Sequence, residues 1–148
     1  RHINRSEDIK QELRKLKLIV TERSSGHKPS DDCDVYIINT YGEMSKFLSL
    51  SNVTFIGGSI VSHGGQNPLE AVRMGNYVMH GKKVYNFKEI YKELKSLKIS
   101  SEIKNIDQME KVFVKNHNYK ISNSKLNKIN YLGAKIFENN VKEIKNYL

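Results

Sequence analysis

FIGGSIVSHGGQNPLEAVRMGNYVMHG, residues 55–81, is the stretch whose reading decides the fold. A short apolar run, Val53 to Ile56, leads into Gly57-Gly58. A second diglycine, Gly64-Gly65, precedes Asn67-Pro68-Leu69-Glu70, which reads as the first turn of a helix. Another strand-like run ends at His80-Gly81. Strand, glycine loop, helix and strand in that order make a βαβ unit. Its glycines fall where a strand ends and a helix begins, the place where α/β proteins hold phosphorylated ligands.

The residue types suit that chemistry. Glycine has no Cβ, so a ligand can come close to bare backbone N–H groups. The first-turn N–H groups of a helix lack intrahelical partners and carry partial positive charge. Pro68 fits an early helical position, where a missing N–H costs nothing. A valine at Gly64 or Gly65 is therefore expected to block the approach of a phosphate or to force an unfavourable φ. Asn67 and Glu70 admit two readings. Their spacing is that of an N-cap and its capping box. A carboxylate at this place can also take a sugar hydroxyl, as in dinucleotide sites. Spacing leaves both open.

The wider pattern resembles a known family. Phe55-Ile56-Gly57-Gly58-Ser59, Gly64-Gly65-Gln66-Asn67-Pro68-Leu69-Glu70 and Gly81 followed by Asn86-Phe87 resemble the C-terminal half of 3-deoxy-D-manno-octulosonic acid (Kdo) transferases. Those read FVGGS, GGHNPLEP and GP-x-x-x-NF at these places. Arg1-His2 with Arg5 is similar to the end of the PRHxxR motif, and Asn39-Thr40-Tyr41-Gly42-Glu43-Met44 to DTxGEL. The resemblance covers roughly residues 1 to 90. Departures are Gln66 for His, Ala71 for Pro, Asn39 for Asp and Lys82-Lys83 for Pro-His. They bear on activity and on the identity of the transferred sugar more than on the fold.

The resemblance implies a Rossmann-like α/β fold: a parallel sheet with helices on both faces, the C-terminal half of a GT-B glycosyltransferase. Residues 1–148 would form one donor-binding domain of a two-domain enzyme, with a long C-terminal helix over 120–148. The donor would be CMP-Kdo and the acceptor a lipid A precursor in lipopolysaccharide biosynthesis, at the cytoplasmic side of the inner membrane. Transfer would invert the anomeric centre without a metal or other cofactor. Arg1 would contact the phosphate. Gly42, Glu43 and Met44 would lie near the nucleotide. Gly64, Gly65, Asn67, Pro68, Leu69 and Glu70 would hold phosphate and ribose. The catalytic base would belong to a missing N-terminal acceptor domain, so no catalytic residue is assigned. The chain starts inside a motif and without Met, which also reads as a fragment. The alternatives are a non-catalytic nucleotide-binding paralogue and a GT-B enzyme that uses a UDP-sugar.

Composition sets bounds. At 148 residues the chain can bury a real core. No run of about 18 apolar residues is present, and no signal-peptide pattern opens it. Cys33, in an acidic loop, is the single cysteine, so no disulfide framework and no multi-cysteine metal site exist. The five histidines have no ligand spacing. The net charge is +9, and residues 75–148 hold fifteen lysines against seven acidic side chains. Lys, Ile and Asn make up 50 of the 148 residues, a bias that raises the pI without a binding role. No aromatic-interleaved basic strand or RNA-binding motif is present, so nucleic acid is not an expected partner. An anionic membrane surface is.

Period and punctuation give the remaining elements. Helices are expected over 4–15, 42–50, 68–74, 87–97, 107–116 and 124–147. Strands are expected over 18–21, 35–38, 53–56, 77–79 and 99–102. Met44, Phe47 and Leu48 should point inward, and Asp107 should cap its helix. Leu126, Ile129, Leu132, Ile136, Val141 and Ile144 form the stripe of the last helix. Its end, with Tyr147 and Leu148, is expected to be poorly covered. Strands alternating with helices imply a parallel sheet.

Overall fold

A computed structural model describes residues 3–146. The chain divides into two compact units, bounded as Arg1–Met44 and Ser45–Leu148. All strand pairs are parallel, with one small sheet in each unit. In the first unit, α1 (Ser6–Lys15) precedes β1 (Val20–Glu22), which pairs with β2 (Val35–Ile37). The polar loop between the strands starts with a turn of 3-10 helix, Arg23–Ser25. Leu13 of α1 is half-buried, while Leu16, just after the helix, is exposed. Polar contacts matter more here than an apolar core: the Lys10 ammonium donates to the Glu22 carboxylate and ties α1 to β1.

The second unit holds the main core. It runs α2 (Met44–Leu48, starting at the boundary), β3 (Val53–Ile56), α3 (Leu69–Arg73), β4 (Tyr77–His80), α4 (Lys88–Ser96), β5 (Ser100–Glu102), α5 (Ile106–Asn116) and α6 (Asn123–Lys145). The strand order is β3-β4-β5, so β4 is central. All four residues of β4 are buried, as a strand covered on both faces requires. Alternation sends Val78 to one face, where it joins Val72, Leu94, Ile99 and Ile129 from α3, α4 and α6. Tyr77 and Met79 point to the other face, against Met109 and Val112 of α5. Each fully buried aliphatic side chain stabilises the fold by about 1.5–3 kcal/mol.

Two expectations need correction. Met44 does not point inward: it is 55% exposed, because α2 is only five residues long and buries mainly its Phe47–Leu48 side. Asp107 does not cap α5. Asn105 does, its side-chain oxygen accepting the Gln108 N–H at 2.9 Å, because the helix begins one residue earlier, at Ile106. Ser122 caps α6 in the same way, accepting from Lys125 N–H.

Candidate functional site

The glycine loop leaves β3 at the carboxyl end of the three-stranded sheet. Ser59, fully buried, sets its start. Its hydroxyl donates to Ile56 O at 2.6 Å and accepts the Gly81 N–H at 2.7 Å, fastening the ends of β3 and β4 together. A Cβ on Gly81 would stand 2.5 Å from Ser59 O, so this junction admits only glycine.

The loop is then tied down from one side. Tyr85 OH donates to Ser62 O, Asn86 Nδ2 to His63 O, Asn86 N–H to Gly64 O and Tyr91 OH to Gln66 O, at 2.9, 3.0, 3.2 and 2.9 Å. Four carbonyl oxygens that would repel an anion are thus bound to protein donors. Burial pushes the Tyr91 hydroxyl's pKa up, which keeps it a donor.

The two diglycines differ in purpose. At Gly64, with φ of +78°, an added Cβ would lie 2.4 Å from Asn86 Nδ2 and 2.6 Å from the Tyr85 ring. At Gly65 it would meet Val84 at 3.3 Å. Both are buried. The Cβ side of this pair is filled by the chain itself. Gly57 is the reverse: it is exposed, and nothing lies within 4 Å of its missing Cβ. Bare backbone open to a ligand is therefore found at Gly57, whereas Gly58 sits against His63 and Gln66. Lys83 adds a cation at this edge, its N–H on Ser59 O at 2.8 Å and its ammonium on Ser62 Oγ at 3.0 Å.

Asn67 and Glu70, which spacing left open to two readings, make different contacts. Asn67 Oδ1 accepts the Leu69 N–H at 3.0 Å, a local cap. Glu70 is exposed and does not reach back to Asn67. Its carboxylate accepts from Ser45 Oγ at 2.7 Å, a residue 25 positions away. Pro68 and Leu69 are buried and anchor the turn.

His80, at the end of β4, is buried against the Tyr91 ring at 4.4 Å between centroids. Its Nδ1 donates to Gly81 O at 2.8 Å, which leaves Nε2 as the acceptor in the neutral ring. Burial lowers its pKa.

The first unit holds a separate polar cluster at the carboxyl ends of β1 and β2. Arg23 grips Glu43 with two nitrogens, Nε at 3.0 Å and Nη2 at 2.8 Å, and Thr40 Oγ1 donates to the same carboxylate at 2.6 Å. This fork geometry is the strong form of the ion pair, and it raises the Arg23 pKa further. Asn39 is buried and uses both ends of its amide: the oxygen accepts Ser24 N–H, the nitrogen donates to Glu22. An aspartate at 39 could not donate, and it would set two carboxylates against each other. Gly42, with φ of +78°, and Met44 flank Glu43 and are exposed. Arg1 lies outside the described residues.

Motif reading assigned no role to Arg23, Ser45, Ser59 or Lys83, because their partners lie 20 or more positions away. Among the described residues, no group of three His, Cys, Asp or Glu side chains could hold a metal ion.

Parallel strands, helices on both sides of the sheet and a glycine loop at the carboxyl edge define a Rossmann-like domain of the GT-B C-terminal kind. The fold matches the crystal structure of the C-terminal CMP-Kdo binding domain of WaaA from Acinetobacter baumannii. The TM-score is 0.73 at 27% identity, over 77% of this chain and 60% of that one. The chain is 35% identical over 94 residues to the 3-deoxy-D-manno-octulosonic acid transferase of Haemophilus influenzae, 64% of this chain and 22% of the relative. It is 30% identical over 147 residues to that of Rickettsia bellii, 99% of this chain and 30% of the relative. No family model matches. The chain is a homologue of the 3-deoxy-D-manno-octulosonic acid transferases, as its motifs indicated. It spans less than a third of the length of these curated relatives.

Proposed function

We propose that this chain binds CMP-Kdo and serves as the donor-binding part of an inverting, metal-independent Kdo transferase. One observation carries the reading. The glycine loop has four carbonyls tied back and bare backbone open at Gly57, on a fold shared with a CMP-Kdo binding domain. The open backbone, with Lys83 beside it, would take the phosphate. Glu70 would take ribose hydroxyls, with Ser45 fixing its carboxylate. Asn67, Pro68, Leu69, Gly64 and Gly65 shape that surface. Glu43, held by Arg23, with Gly42 and Met44, would border the nucleotide, and Arg1 would contact the phosphate. Cationic groups and backbone N–H groups aimed at the departing CMP would stabilise the charge it develops.

The acceptor in this reading is a lipid A precursor in lipopolysaccharide biosynthesis, at the cytoplasmic side of the inner membrane. An acceptor domain outside this chain would supply the base. The lysine excess of residues 75–148 would favour anionic headgroups. Among the described residues, no helix is long and apolar enough to cross a membrane.

Calorimetric titration with CMP and with UDP tests the donor. CMP should bind at least about tenfold more tightly, a difference near 1.4 kcal/mol. Tighter binding of UDP, or no binding of either, would refute the assignment.

A further inference from the structure

Arg73 occupies an unusual place. It is the last residue of α3, and its guanidinium lies against α6 at Gly133, where a Cβ would stand 2.0 Å from Nη2. A glycine inside a helix weakens it relative to alanine. Here it leaves the guanidinium room to rest on the helix surface. Among the described residues, the Arg73 guanidinium has no hydrogen-bond or ion-pair partner. It faces an open groove of about 520 Å³ between α3 and α6, also lined by Asn67, Asn130, Asn140 and Phe137. Arg73 is the only charged side chain in that lining. Phe137 is 70% exposed, so its ring is free to meet a ligand.

The chemistry of this set is specific. A guanidinium suits a carboxylate or phosphate, which it can take with two parallel N–H groups. Three amides offer both donors and acceptors, as hydroxyl groups require. An exposed aromatic face suits the C–H face of a sugar ring, and pockets with an apolar wall and a few convergent polar groups fix ligand orientation. We infer that the groove between α3 and α6 binds an anionic saccharide, its charged group on Arg73 and its ring against Phe137. The site does not rest on nucleotide binding: it meets the glycine-loop segment at Asn67 and at the buried Leu69, and its charged and aromatic groups, Arg73 and Phe137, lie outside that segment. Gly133 is a positioning residue, since it decides where the guanidinium lies.

The test is an NMR titration of the labelled chain with glucuronate and glucose 6-phosphate, with glucose and inorganic phosphate as controls. The Arg73 Nε–H, the Asn130 and Asn140 side-chain amides and the Phe137 ring should shift together with both acidic sugars. Glucose and inorganic phosphate should each bind about tenfold more weakly, the loss expected from removing one strong contact. Arg73→Ala should lower affinity for the acidic sugars by a similar factor. Gly133→Ala should do the same by displacing the guanidinium, although alanine is the better helix former. Neither variant should change CMP affinity, which reads the donor site separately. Equal binding of glucose, equal binding of inorganic phosphate, an unaffected Gly133→Ala or the absence of shifts would each overturn the proposal. So would a parallel loss of CMP affinity in both variants, which would make the groove part of the nucleotide site.

Discussion

Glu70 is best understood as a carboxylate aimed by a distant hydroxyl. Ser45 holds it, and neither group is buried. Removing an exposed carboxylate with one such contact changes stability by within about 0.5 kcal/mol. Glu70→Ala is therefore expected to leave the melting temperature almost unchanged while CMP affinity falls about tenfold or more by calorimetry. A fall in melting temperature with unchanged CMP affinity would return Glu70 to a structural role. The glycines predict opposite outcomes. Gly64→Val meets Asn86 and Tyr85 and forces a positive φ on a β-branched residue, so it should cost about 2–4 kcal/mol in urea unfolding. Gly57→Ala has open space and should fold normally yet bind CMP more weakly. If Gly64→Val were as stable as the parent, the clamp by Tyr85 and Asn86 would be wrong. His80 adds a pH dependence. Its ordinary pKa of 6.5 is lowered by burial in the folded state. Above pH 6.5 the ring is neutral, folded or unfolded. As pH falls below that value the unfolded chain gains a proton that the folded chain resists, so stability declines down to the folded pKa. Urea midpoints at about pH 7.5 and about pH 5.5 should therefore differ more in the parent than in His80→Gln. Equal differences would remove His80 as the cause.

At the scale of elements, α6 divides in two. Up to Ile136 its stripe joins the main core, with Ile129 fully buried and Leu132 and Ile136 packed on it. Beyond that, Phe137 and Ile144 are 70% and 60% exposed, and Val141 is only half-buried. Helical stability in proteins comes mainly from packing of such a face, so the second half should open more readily. Amide exchange over 137–146 is expected to be faster than over 126–136. Uniform protection along the helix in a monomer would contradict this. The period of the stripe was legible in the sequence; which part of it finds a partner was not, because that depends on where α3 and α4 lie. The cap of α5 shows the same limit. Asn105 and Asp107 are both good capping residues, and only the starting turn of the helix chooses between them.

For the whole molecule, two small parallel α/β units each carry a polar cluster at the carboxyl ends of their strands. The curated relatives are more than three times as long as this chain's matched length. We therefore expect the 148 residues to bind CMP without transferring Kdo to a lipid A precursor, since catalysis needs acceptor and base held in register with the donor. Detection of the transferred sugar by mass spectrometry would disprove this.

The sequence by itself determined the order of elements, the parallel sense of the strands and the place of the glycine loop. These follow from local period, from glycine and proline, and from motifs within a few residues of each other. It also determined the family, through GGQNPLE and its neighbours. Only the tertiary structure decided what each of those residues touches. Gly64 stands in a motif that suits a phosphate, and its Cβ side is closed by Tyr85 and Asn86, which return from later in the chain. Glu70 looks like a capping residue and is instead held by Ser45. Arg23 carries no motif, yet it grips Glu43. Arg73 and Gly133, 60 positions apart, meet only when α3 lies on α6. Each of these contacts joins distant parts of the chain, and no local pattern encodes a partner that folding alone brings near.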